Sequence, residues 1–290
     1  MPKILVIEDN TNEKETLLKV EKVSLSIQGN LILRDVNVEI KNIVQENNTR
    51  GQIIGFLGPS GVGKTQLSEV LTGLKNSGNH KESNYEVGGR VLIGSPSVEV
   101  QTGMVGFVQQ NYPLFEYMNV YKNLQVAASK SDLSKQEQKD RIKFYLDKMN
   151  LTSHIMKYPS QLSGGQRQRV AIAQQLLCSK YYLVLDEPFS GLDVNMIDKV
   201  SLMLQDVANM HDLNTIIIIS HDINATVSIA DTLWLMGKEK NEKGEFIPGS
   251  KIIKEIDLLE RGLAWEPDIA YKTEYFNTIR EIREIFSSLL

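Results

Sequence analysis

The sequence predicts an α/β fold: buried parallel strands alternating with helices, preceded by antiparallel strands. Three observations predict it. A short apolar strand, Ile53-Ile54-Gly55-Phe56-Leu57, runs into the glycine-rich loop Gly58-Pro59-Ser60-Gly61-Val62-Gly63-Lys64-Thr65 and then into a helix. Two more apolar strands end in chemistry-bearing residues, Asp186-Glu187 after Tyr181-Tyr182-Leu183-Val184-Leu185 and His221 after Thr215-Ile216-Ile217-Ile218-Ile219-Ser220. Ahead of both strands, Leu162-Ser163-Gly164-Gly165-Gln166 opens a further helical pattern.

Taken in order, residues 1–19 read as an N-terminal appendage. Lys3-Ile4-Leu5-Val6-Ile7-Glu8-Asp9-Asn10 superficially resembles the first strand of a response-regulator receiver, but no receiver body follows, which leaves a strand or an ordered tail. Residues 20–56 alternate with the period of two expected of antiparallel strands, and Gln45-Glu46-Asn47-Asn48-Thr49-Arg50-Gly51 interrupts them as an exposed hairpin. The loop at 58–65 fits G-x-x-x-x-G-K-[ST]. Glycines 58, 61 and 63 let successive N–H groups converge on one anion, and the helix behind adds its positive end. Lys64 would bridge the β- and γ-phosphates of a nucleotide and the Thr65 hydroxyl would ligate Mg²⁺.

The polar stretch 75–89 reads as a loop. From about 111 to 161 the periodicity is helical, with a solvated charged face over 135–149. Strand ends in an open α/β sheet are where ligands bind, so Asp186 would hold Mg²⁺ through water and Glu187 would polarise the attacking water. His221 emerges at the same edge, able to hydrogen-bond phosphate or water. His80, His154 and His211 take the structural reading. After Gly237 comes a turn-rich stretch, 238–250, followed by Tyr275, Phe276, Ile279, Ile282, Ile285 and Phe286 at the spacing of an amphipathic helix, with Trp265 as a buried anchor.

Composition fits a soluble enzyme: 41% of 290 residues are hydrophobic and 23% charged, and the net charge of −4 argues against non-specific nucleic-acid binding. The single cysteine, Cys178, falls in an apolar helix and reads as packing in a reducing compartment. Apolar runs are strand-sized and the N-terminus turns acidic at Glu8-Asp9. The sequence therefore predicts neither a spanning helix nor a secretory signal, and membrane attachment through partners.

In this order the motifs resemble those of the ATP-binding subunit of an ATP-binding cassette (ABC) transporter. Val105-Gly106-Phe107-Val108-Gln109-Gln110, with Tyr112, Leu114 and Phe115 behind it, is similar to that family's Q-loop and places the metal- and partner-sensing glutamine at Gln110; Ser190-Gly191-Leu192-Asp193 resembles its D-loop. The resemblance implies a P-loop NTPase of ABC type: a mixed RecA-like core sheet with helices, an antiparallel β subdomain and an inserted helical subdomain. Residues 20–236 would form the ATPase domain, with its helical subdomain at about 111–165, and 237–290 an extension. It implies ATP and Mg²⁺ held by residues 58–66 (Gln66 included), Thr65, Gln110 and Asp186. Hydrolysis would rest on Glu187, His221, Gln110 and Lys64. It further implies a head-to-tail dimer in which Ser163, Gly164, Gly165, Gln166 and Asp193 of one copy close over ATP on the other.

Two departures matter. The family's adenine-stacking aromatic aligns with Ile27, and residues 1–55 hold no Phe, Tyr or Trp. The expectation is weaker base contact and looser discrimination between ATP and other triphosphates. Gln66 replaces a hydroxyl residue that touches the α-phosphate, a place an amide donor can also fill.

The implied function is ATP hydrolysis that energises a separate membrane permease, reached through the 110–121 region, with a substrate-binding protein as a further expected partner. The chain would then be cytoplasmic, peripheral on the inner membrane. The alternative, a soluble ABC ATPase acting on nucleic acid or ribosomes, lacks support: ordinary domain length separates Lys64 from Ser163 where a DNA-type member needs a long coiled coil, and there is one cassette where ribosome-type members carry two.

Overall fold

A computed structural model describes residues 16–45, 48–49, 51–77, 84–131, 133–179, 181–211, 213–264, 266 and 268–289. The readings of residues 3–10, His80 and Trp265 lie outside these. In chain order the elements are β1 (Thr16–Ile27), β2 (Asn30–Lys41), β3 (Val44–Gln45), β4 (Asn48–Thr49), β5 (Gln52–Leu57), α1 (Lys64–Leu71), β6 (Tyr85–Ile93), β7 (Val98–Glu99) and β8 (Gly106–Val108). They continue with α2 (Val120–Ala128), α3 (Lys135–Lys148), α4 (Gly164–Cys178), β9 (Tyr182–Asp186), α5 (Val194–Ala208), β10 (Thr215–Ser220), α6 (Ile223–Val227), β11 (Thr232–Gly237), β12 (Lys251–Asp257) and α7 (Thr273–Ser288).

Six strands form the core sheet in the order β12-β11-β5-β10-β9-β8, and four form an antiparallel sheet, β2-β1-β6-β7. β11, β5, β10, β9 and β8 are mutually parallel, while β12 is antiparallel on the edge. Parallel strands covered on both faces must be apolar throughout, and β5, β9 and β10 are buried at every position. Alternate residues serve opposite faces. Ile53, Leu57, Leu183, Leu185, Ile216 and Ile218 pack with the helices of the α2–α7 layer. Ile54, Phe56, Val184, Ile217 and Ile219 pack with α1 and the antiparallel sheet. Trp234 closes this second core edge-to-face on Phe56, ring centroids 4.7 Å apart.

Two sequence expectations shift. β1 begins at Thr16, within the stretch read as an appendage, and residues 85–89 of the expected 75–89 loop are strand. The reason is cross-strand pairing: Tyr85, Glu86 and Val87 take Ile27, Ser26 and Leu25 of β1 as partners, and the sheet's hydrogen bonds override the polar composition. α7 buries Tyr275, Thr278, Ile279 and Ile282, with Tyr275 donating from its hydroxyl to the Asn224 carbonyl of α6 at 3.2 Å.

Candidate functional site

Register assembles the site. Ser220 of β10 pairs with Leu57 of β5, and Ile219 with Asp186 of β9, so three strands finish together. Gly58, Glu187 and His221, the next residues along, therefore leave the sheet at one edge, where open α/β sheets bind ligands. The glycine loop is shaped by its surroundings: Gly63 has φ +88°, and a Cβ there would meet the Ile32 side chain at 2.8 Å. Lys64, Thr65 and Gln66 then occupy the first turn of α1, whose N–H groups lack helical partners and favour an anion.

Lys64 is buried, and its Nζ donates to the carbonyls of Gly58 (2.8 Å) and Pro59 (3.1 Å), with Glu187 Oε1 at 3.8 Å. Burial lowers its pKa, and the Glu187 and Asp186 charges partly oppose that. Glu187 sits between His221 and Lys64: its Oε2 lies 2.8 Å from His221 Nδ1 and its Oε1 faces the Lys64 ammonium. It is a carboxylate at the sheet edge, 14% exposed, beside an imidazole that is 58% exposed. Such a pair can order a water and shuttle a proton.

The donor set for Mg²⁺ fits. Asp186 Oδ1 is buried without a hydrogen-bond partner, and burial raises this carboxyl's pKa, opposed by a hydrogen bond from Thr65. A buried carboxyl oxygen left without a partner is a fitting ligand for a cation. Thr65, Asp186 and Gln110 line one cavity of about 350 Å³, together with Glu69 and Phe107. The Gln110 amide donates to Ser190 Oγ at 3.0 Å, which links the Q-loop to the segment after Glu187.

Ser163 and Gln166 form a capping box at the start of α4, Ser163 Oγ accepting from the Gln166 backbone N–H and Gln166 Oε1 accepting from Ser163 N–H. Gln166 also contacts His154 at 3.0 Å, so this group's side-chain partners lie in the helical subdomain. Gly164 is exposed with open space where a Cβ would stand; at Gly165 a Cβ would meet the tip of Met196. Asp193 caps α5, its carboxylate accepting from Met196 N–H at 3.0 Å.

Sequence reading missed several residues around these groups. The Pro188 carbonyl, adjacent to Glu187, accepts from both Tyr112 of the Q-loop (3.2 Å) and Gln168 of α4 (3.0 Å). Gln168 follows the pentapeptide at a buried helical position, a signal that spacing alone could have supplied. Glu116 and Arg167 pair at 2.6 Å, joining the aromatic loop after the Q-loop to α4. Nothing in local sequence joins these two.

The sequence pattern of the ABC transporter family matches residues 42–190. The chain is 33% identical over 261 residues to the sulfate/thiosulfate import ATP-binding protein CysA of Neisseria meningitidis serogroup A, covering 80% of this chain and 70% of that one. It is 31% identical over 223 residues to the spermidine/putrescine import ATP-binding protein PotA of Thermotoga maritima, covering 76% of this chain and 56% of that one. Among solved structures, cbiO1 of Clostridium perfringens, part of the ABC transporter complex cbiONQ, superposes with a TM-score of 0.69 at 24% identity over 94% of this chain and 99% of that one. A dimeric ATP-binding cassette, MJ0796, bound to ADP and Pi superposes with a TM-score of 0.63 at 22% identity, covering 83% and 99%. The chain belongs to the ABC transporter family, as an ATP-binding and ATP-hydrolysing subunit that energises transport by a separate permease.

Proposed function

We propose that this subunit works in uptake and hydrolyses MgATP at a site shared between two copies of the chain. The observation that carries the catalytic reading is Glu187, a carboxylate between Lys64 and His221 at the end of β9. The phosphate loop and the α1 N-terminus bind the β- and γ-phosphates, with Lys64 exchanging the Gly58 and Pro59 carbonyls for phosphate oxygens. Glu187 accepts hydrogen bonds from the attacking water and orients it, and His221 holds Glu187 while presenting its ring to the γ-phosphate. Thr65, Asp186 and Gln110 would hold Mg²⁺, which neutralises phosphate charge when bound.

Ser163, Gly164 and Gly165 of a second copy would complete the site through the α4 N-terminus, which offers free N–H groups and a positive dipole end. The open space at Gly164 supports this, since it leaves room for a phosphate to approach the backbone. With ATP bridging the two chains the closed dimer is favoured, and loss of the γ-phosphate reopens it. Phe115, Tyr117, Met156 and Tyr158, all exposed, supply an apolar patch for a permease, which would make the chain peripheral on the cytoplasmic face of the inner membrane. Uptake is supported by the import names of the relatives. Their named cargoes are of opposite charge, sulfate dianions and polycationic amines, so direction carries over and cargo does not. A substrate-binding protein would then deliver the cargo.

The test is Glu187→Gln. Phosphate release should fall at least about 100-fold while ATP-bound dimers accumulate. Turnover at the native rate would remove Glu187 from the mechanism.

A further inference from the structure

One acid outside the assigned set faces the metal cavity. Glu69 stands one helical turn after Thr65 on α1, so the two share a face, and both line the cavity that holds Asp186 and Gln110. Glu69 is also held in place. Its Oε2 accepts from Lys75 Nζ at 2.6 Å, and the same ammonium donates to Gln66 Oε1 and lies 5.6 Å from the centroid of the Tyr85 ring. The Lys75 side chain is only 18% exposed and that of Glu69 28%, so this is a caged cation against a fixed carboxylate, unlike a loose surface pair. Oε1 of Glu69 takes no hydrogen bond among the described residues.

Resting on the nucleotide reading above, we infer that Glu69 is an outer-sphere acid of the Mg²⁺ site. Its Oε1 accepts from a water of the ion's hydration shell, and Lys75 fixes the carboxylate and offsets part of its charge. Mg²⁺ keeps several waters and takes few protein ligands directly, so an acid one turn beyond Thr65 acts on those waters. Partners of this kind typically change metal affinity 10- to 100-fold, on the order of what a direct ligand's orientation is worth. Lys75 makes the claim directional. Removing the acid should weaken the metal, and removing the lysine should strengthen it through the acid alone.

The experiment uses the full chain with a non-hydrolysable ATP analogue and Mn²⁺ as a paramagnetic probe. Glu69→Gln should raise the Mn²⁺ dissociation constant about tenfold, without weakening analogue binding in EDTA. Lys75→Met should lower that constant in the native background and leave it unmoved in the Glu69→Gln background. An unchanged Mn²⁺ constant in Glu69→Gln overturns the inference, as does a Lys75→Met effect that survives without Glu69. If native protein binds the analogue no better than Lys64→Ala, the nucleotide reading itself fails, a result separate from either of these.

Discussion

Glu187 has φ +52°, a left-handed backbone that costs a residue with a Cβ roughly 1 kcal/mol or more. The strain is held by its N–H donating to the Ile219 carbonyl at 2.8 Å and by the contacts of its carboxylate with His221 and Lys64. Asp186 beside it carries a second cost. Burial raises its pKa, so the folded protein binds that proton more tightly than the unfolded chain does. The stability this group contributes is present at low pH and is lost as pH rises from the ordinary aspartate range through the raised folded value. At neutral pH the ionised carboxylate is therefore a burden until a cation arrives. In EDTA at pH 7, Asp186→Asn should stabilise the fold by about 1 kcal/mol, or about 2 °C in melting temperature, with the gain shrinking in acid. A lower melting temperature for that variant at pH 7 would contradict this account. The identities of Glu187 and Asp186 were legible from a strand-end pattern. Glu187's backbone strain was not, because it follows from the turn that carries the chain beside β10.

At the scale of elements, the aromatic loop and the pentapeptide helix behave as one body. Asn123 of α2 is fully buried; its Oδ1 accepts from Phe115 N–H at 2.9 Å, and its amide donates to the carbonyls of Phe115 and Met118. Gln174 of α4 donates to the Asn123 carbonyl and side-chain oxygens, each at 3.2 Å. The N–H groups of Val120 and Tyr121 are satisfied by the carbonyls of Lys157 and Ile155, which lead into the pentapeptide. Docking at Phe115 and Tyr117 would thus be felt at Ser163. Asn123→Ala removes the partners of the part-buried Phe115 N–H and Met118 carbonyl and should cost about 2 kcal/mol. Amide exchange should accelerate over 113–119 while the phosphate loop keeps its protection, and equal protection throughout would disprove the tie. Periodicity predicted α2 and α4 individually. It could not predict Asn123, since a polar residue at a buried helical position becomes informative only once its partners, 51 residues away in Gln174's case, are known.

For the whole molecule, assembly is the claim most exposed to test. Gly164 lies open on the monomer surface, so Gly164→Leu should fold and bind nucleotide as the native chain does. It should lose ATP-driven dimerisation in sedimentation, and phosphate release with it; turnover in a monomer would rule out the shared site. By itself the sequence determined the chemistry and the core: short-range strings carry the phosphate loop, the strand-end acids, His221 and the pentapeptide, and fully apolar strands can only lie inside a covered parallel sheet. Tertiary structure decided what depends on register and distant pairing. It set β12 on the edge of the core sheet, turned residues 85–89 from loop to strand against β1, and employed Asp193 as a helix cap. It also brought Lys75 across a turn to hold Glu69 beside Asp186. The physical reason is locality. Hydrophobic period and turn chemistry act over a few residues, whereas a cross-strand partner, a buried amide or a caged ion pair exists only after the chain has closed.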